Sequence, residues 1–116
     1  MNSTDLDARR QALEALPGPY LSLHAIDRYR QRIKARARQE EIGAALEACT
    51  IQVCPPGWAQ QGQEPADGWA VKGPIAFPLV IRDGRLLATT CIQKKRQIPK
   101  ADRRAYRELI RSGEAA

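Results

Sequence analysis

Long apolar runs are missing from this chain. Nothing in it approaches the about 18 consecutive apolar residues of a membrane-spanning helix, so no membrane partner is expected. The opening residues Met1-Asn2-Ser3-Thr4-Asp5-Leu6-Asp7 are polar and acidic, unlike a secretory signal. Cysteine is scarce: Cys49, Cys54 and Cys91 form no CxxC pair, and their odd number argues against a closed disulfide framework. Cys49 and Cys54 with His24 have only weak metal-ligand spacing. Buried, reduced thiols in a cytoplasmic protein are the expectation, with no metal and no cofactor. Histidine is scarcer still, since His24 stands alone and no second imidazole can complete an acid/base pair. Acidic residues are also in short supply. Thirteen of them face 19 lysines and arginines, giving a net charge of +6 and pointing to an acidic partner, nucleic acid first.

Internal repeats and dividing linkers are absent too. The 116 residues suit one domain with a modest core, and 43% hydrophobic content supports folding. Within that single domain, residues 1–20 read as a first helix and turn, 21–93 as the core, and 94–116 as a basic C-terminal helix.

What is present centres on residues 23–33, Leu23-His24-Ala25-Ile26-Asp27-Arg28-Tyr29-Arg30-Gln31-Arg32-Ile33. As a helix this stretch stacks His24, Arg28 and Arg32 in one stripe, at i, i+4 and i+8. Leu23, Ile26, Tyr29 and Ile33 recur every three or four residues and give a separate apolar face. An imidazole beside fixed positive charge suits phosphodiester chemistry, in which a proton moves while charge grows on phosphoryl oxygens.

Ahead of it, Ser3 or Thr4 caps a first helix with Leu6, Ala12, Leu13 and Leu16 as a narrow stripe, stopped by Pro17-Gly18-Pro19. Ser22 is placed to cap the second helix, which should end near residues 34–36. Residues 38–49 read as a third helix with Ile42, Ala45, Leu46 and Cys49 inward. Strands follow at 51–54, 69–72, 75–81 and 85–92, the last two flanking the hairpin turn Asp83-Gly84. Residues 58–68 form a long loop, and Pro78 marks an edge or a bulge. The order predicts an α+β fold, with N-terminal helices packed on an antiparallel sheet of about four strands and a last helix near residues 100–111.

The stretches LHAIDRYRQRI, EEIGAAL and GRLLATTCI resemble the small ribonuclease toxins of the barnase–EndoU–colicin–RelE superfamily, in a branch marked by a histidine and an arginine on one helix. The resemblance covers about residues 21–93. It implies a RelE-like, metal-independent endoribonuclease that cleaves RNA by 2′-hydroxyl attack, with a small acidic antitoxin or immunity protein as a possible partner. By position, His24 and Arg28 match the helix pair, and Thr90, or else Thr89, matches a strand threonine. Asp27 supplies the acidic residue of the motif.

Arg32 joins His24, Arg28 and Thr90 as a candidate catalytic residue. Arg30, Lys34 and Arg38 make a second stripe about 160° away; such a stripe is more often a solvated face, yet with a second basic cluster in the chain Arg30 and Lys34 read as nucleic-acid-binding residues. Lys72, Lys94, Lys95, Arg96, Arg103 and Arg104, with Lys100 and Arg107, extend a phosphate-backbone footprint. Trp58 can stack a base, whereas Trp69, in a strand, reads as a core anchor. Two other functions fit the same charges. One is a non-enzymatic nucleic-acid-binding regulator from a phage or mobile element, the other an inhibitor or adaptor meeting an acidic protein.

Overall fold

The structure, a computed structural model, describes residues 3–59 and 65–94. In order these form α1 (Ser3–Glu14), β1 (Tyr20–Leu21), α2 (Leu23–Arg32), α3 (Gln39–Glu47), β2 (Thr50–Gln52), a 3₁₀ turn (Gly57–Ala59), β3 (Gly68–Lys72), β4 (Ile75–Arg82), β5 (Arg85–Ala88) and β6 (Ile92–Gln93). The chain is α+β, as its helix-then-strand order predicts. The sheet departs from expectation in two ways. It has six strands rather than about four, and it is mixed. β1 lies parallel to β5, with Tyr20 opposite Leu87 and Leu21 opposite Ala88. The remaining pairs are antiparallel, in the order β1-β5-β4-β3-β2, with β6 also against β4. The C-terminal helix expected near residues 100–111 lies outside the described residues.

α2 begins where Ser22 caps it: the Ser22 hydroxyl accepts a hydrogen bond from the Ala25 amide at 3.0 Å. It ends at Arg32, two to four residues sooner than expected. Its buried face is Ala25, Ile26 and Tyr29, with Ile33 packed alongside. Leu23, expected on that face, is 82% exposed. Ala25, four residues before Tyr29 and eight before Ile33, completes the stripe instead. α3 buries Ile42 and Leu46, and Ala45 and Cys49 pack against the same core. α1 buries Leu13. Leu13 reaches so close to Gly68 that a Cβ there would meet its Cδ1 at 2.7 Å.

Strand side chains alternate between the two faces of the sheet. Ala70, Phe77, Leu79, Leu86, Ala88 and Cys91 join the helices in the main core, where the Phe77 ring stacks with Tyr29 at 6.3 Å between centroids. Trp69, Ala76 and Ile92 cluster separately with Ala59, Trp58 and Ala66. Both tryptophans therefore belong to an apolar cluster, Trp69 fully buried and Trp58 half-buried.

The strand expected over residues 85–92 is broken. Leu79 pairs with Ala88 and Ala76 with Ile92, so Thr89, Thr90 and Cys91 stand opposite only Phe77 and Pro78. The extra residue makes a bulge. The Pro78 carbonyl points into it and accepts from the Thr89 amide at 3.0 Å. A strand residue aims its N–H and C=O at the same neighbour. The nitrogen of Pro78 therefore faces the bulge as well, where its missing donor breaks no ladder bond.

Candidate active site

α2 is docked along this bulge by its N-cap, Ser22, and by one residue of the stripe, Arg32. At its start, the Ser22 amide donates to the Ala88 carbonyl at 3.1 Å and the Ser22 hydroxyl donates to the Thr89 carbonyl at 3.2 Å. At its end, Arg32 Nη1 donates to the Cys91 carbonyl at 2.8 Å. Thr90 lies between these two anchor points along the chain. The bulge and the helix thus hold each other at both ends of α2.

Within the stripe, Arg28 Nε donates to His24 Nε2 at 3.3 Å, and Arg28 Nη1 donates to Gln31 Oε1 at 2.8 Å. His24 is exposed and Arg28 half-buried. The pair holds the imidazole and the guanidinium against each other along one helix. Gln31 escaped notice in the sequence, although its i, i+3 spacing from Arg28 is the signal that finds it.

The two threonines differ. The Thr89 hydroxyl donates to the Pro78 carbonyl at 3.4 Å, while the half-buried Thr90 hydroxyl makes no hydrogen bond among the described residues. Arg32 spends one of its five donors on Cys91. The other donors of this exposed side chain make no hydrogen bond or ion pair among the described residues. Of the stripe, Arg32 is bonded to the bulge, at the residue after Thr90, while His24 and Arg28 are bonded to each other on α2.

The second stripe is engaged in holding α2 to α3. Arg30 Nε donates to the Ala37 carbonyl at 3.0 Å, and Lys34 pairs with Glu41 at 2.8 Å. That hydrogen bond raises the Lys34 pKa and lowers that of Glu41. Lys72 and Lys94 are exposed near one end of the sheet, where the Lys94 amide donates to the Pro74 carbonyl in the β3–β4 turn at 2.7 Å. Lys95, Arg96, Lys100, Arg103, Arg104 and Arg107 lie outside the described residues.

The thiols divide by burial. Cys91 is buried and its pKa is pushed up to about 12, and Cys49, half-buried, to about 11, in both cases because burial disfavours the thiolate. Cys54, expected to be buried, is exposed, because it follows the end of β2 and precedes Pro55-Pro56. It borders a shallow cleft of about 210 Å³ with Leu6, Asp7, Arg10, Gln52 and Val53, none of them part of the His24 stripe. No group of three His, Cys, Asp or Glu side chains converges among the described residues, and no helix there is long and apolar enough to cross a membrane. Compared with protein-family models, curated proteins and solved structures, the chain matches none.

Proposed function

We propose that this chain is a RelE-like, toxin-type endoribonuclease that acts on RNA in the cytoplasm, with the His24 edge as its active site. The observation that supports the reading is the Arg28–His24 hydrogen bond on α2, with the Thr90 hydroxyl making no hydrogen bond among the described residues. A proton acceptor, two guanidiniums and a hydroxyl are the groups this chemistry needs. When RNA enters, Arg28 turns from Nε2 to a phosphoryl oxygen, and Arg32 contributes its uncommitted donors. The released Nε2 takes the ribose 2′-hydroxyl proton. The 2′-oxygen then bonds to phosphorus and the P–O5′ bond breaks. A 2′,3′-cyclic phosphate forms, and the 5′-oxygen leaves with a proton. With one histidine in the chain, the same imidazole gives back the proton it took. Guanidinium groups supply the charge stabilisation, so the reading needs no metal. Neutralisation by a small acidic antitoxin would exploit the same positive edge.

The test is a comparison of wild type, His24→Ala and Arg28→Lys on mixed RNA, with and without chelator. His24→Ala should lose about 10²–10⁴-fold in cleavage while RNA affinity stays nearly unchanged. Arg28→Lys keeps the charge without the planar fork and should lose much of the activity. Chelator should change nothing.

A second reading is a non-enzymatic RNA-binding regulator. It is favoured by one observation: the lone pair a general base needs is already occupied by Arg28. Equal, negligible cleavage by all three proteins, with RNA binding intact, selects it. If the wild type ignores RNA, the adaptor for an acidic protein takes precedence.

A further inference from the structure

The β4–β5 hairpin carries a second charged feature, on the face of the sheet turned away from the helices. Its two-residue turn is Asp83-Gly84, both with positive φ, at 54° and 72°, the backbone of a type I′ turn. That turn fixes the register, so Arg82 stands directly opposite Arg85. Like charges directly opposite in an antiparallel pair are destabilising. Neither arginine is neutralised: among the described residues Arg82 makes no ion pair or hydrogen bond, and the one interaction of Arg85 is with a ring. The neighbouring carboxylates are occupied or constrained, since Asp67 Oδ2 accepts from the Ile81 amide at 2.7 Å and Asp83 is the turn residue.

The ring is Tyr20. The Arg85 guanidinium carbon lies 5.9 Å from its centroid, within cation–π range. Tyr20 itself is 50% exposed and sits in β1 opposite Leu87. Leu87 pairs in turn with Val80, and both are half-exposed. Two guanidiniums with no ion pair among the described residues thus stand at the rim of an apolar shelf with a half-exposed aromatic ring. Guanidiniums in pairs recognise phosphate, and open rings stack bases that are not already stacked in a duplex. A repulsive pair retained without a compensating partner is the kind of local conflict expected at a functional site.

From this juxtaposition we infer that Arg82, Arg85 and Tyr20 form a binding subsite for single-stranded RNA, Arg82 and Arg85 taking backbone phosphates while a base stacks on Tyr20. The inference rests on the RNA reading above and adds a site outside the His24 stripe. β1 runs through Ser22 into α2, so Tyr20 and His24 are four residues apart in the chain.

The experiment is fluorescence anisotropy with a labelled oligouridylate, titrated at several salt concentrations, for wild type, an Arg82→Gln/Arg85→Gln double variant, Tyr20→Leu and Tyr20→Phe. Removing two phosphate contacts should flatten the slope of log K against log salt by about 1.4, from roughly 0.7 per contact on single strands. Tyr20→Leu should weaken binding about tenfold, Tyr20→Phe should restore it, and a duplex should gain nothing from the ring. Melting separates binding from folding: the double variant loses a repulsive pair, so its Tm should not fall. An unchanged slope in the double variant, with wild-type RNA binding intact, overturns the inference and leaves the proposed function standing. A wild type that binds no RNA overturns both. Loss of binding that tracks a fall in Tm assigns these residues to folding and overturns the inference.

Discussion

Arg28 and Arg32 are one turn apart on a single stripe, yet their bonds give them different tasks. Arg32 reaches across to the Cys91 carbonyl, whereas among the described residues Arg28 is bonded only within its own helix. Arg32→Ala should therefore cost stability as well as activity: roughly 1 kcal/mol for one partly buried hydrogen bond, or a Tm fall of about 4 °C in a domain of this size. Arg28→Ala should leave Tm unchanged within a degree or so, with the loss confined to cleavage. The cysteines divide as clearly. At mildly alkaline pH, iodoacetamide should modify Cys54 in the folded protein and spare Cys49 and Cys91, all three reacting once the chain is denatured, as read by intact mass. The two raised thiols also set a pH limit. Their contribution to stability is complete below the ordinary thiol value of 9.0 and is lost as pH rises through about 11 and 12, because only the unfolded chain ionises in that window. Thermal melts from pH 8 to 11 should show a falling Tm, and Cys49→Ala/Cys91→Ala should flatten the fall.

Among the elements, those with periodicity or a turn signature were legible in the sequence and the rest were not. α2 and α3 follow their apolar spacing, Ser22 caps where a serine should, and Asp83-Gly84 makes the hairpin. β1 went unread because two residues cannot show a period. Tyr20-Leu21 becomes a strand only through tertiary pairing with β5, which brings residues 67 positions apart together. The break between β5 and β6 was hidden for another reason, since Leu86 to Ile92 holds no glycine, proline or charge to mark a stop. Pro78 was the clue, and its bulge lies on the facing strand. The turn before β1 is as specific as the hairpin. Gly18 sits at φ +105°, and a Cβ there would meet the Leu86 carbonyl oxygen at 2.6 Å, beside the bond from the Leu86 amide to the Pro17 carbonyl at 2.9 Å. Gly18→Ala must strain the backbone or push β5 away. The expected cost is about 1–3 kcal/mol, seen as a lower urea midpoint at unchanged slope. Since β1 leads directly into α2, RNA cleavage should drop as well.

At the scale of the whole molecule, the candidate site was legible in part for an electrostatic reason. Sequence shows how much charge there is, but not which charges are already spent. Among the described residues Arg30, Lys34 and Arg10 are engaged in internal bonds, so the charge available to a partner is less than the basic count suggests. Residues 95–116 change that balance. They hold seven of the chain's 19 basic residues but three of its 13 acidic ones, or +4 of the net +6. If the partner is a polyanion, much of the attraction should therefore reside in this segment and in Lys94 beside it. Replacing Lys94, Lys95 and Arg96 together with alanine removes three cations. RNA affinity should fall for all sequences alike, and the salt slope should flatten by about 2, from roughly 0.7 per lost contact on single strands. Tm should hold. The rate of cleavage at saturating RNA should also hold, because the His24 edge is intact, so the loss appears in KM and not in kcat. If kcat falls with KM unchanged, this basic segment acts in the chemistry and the division between a binding surface and a catalytic edge is wrong.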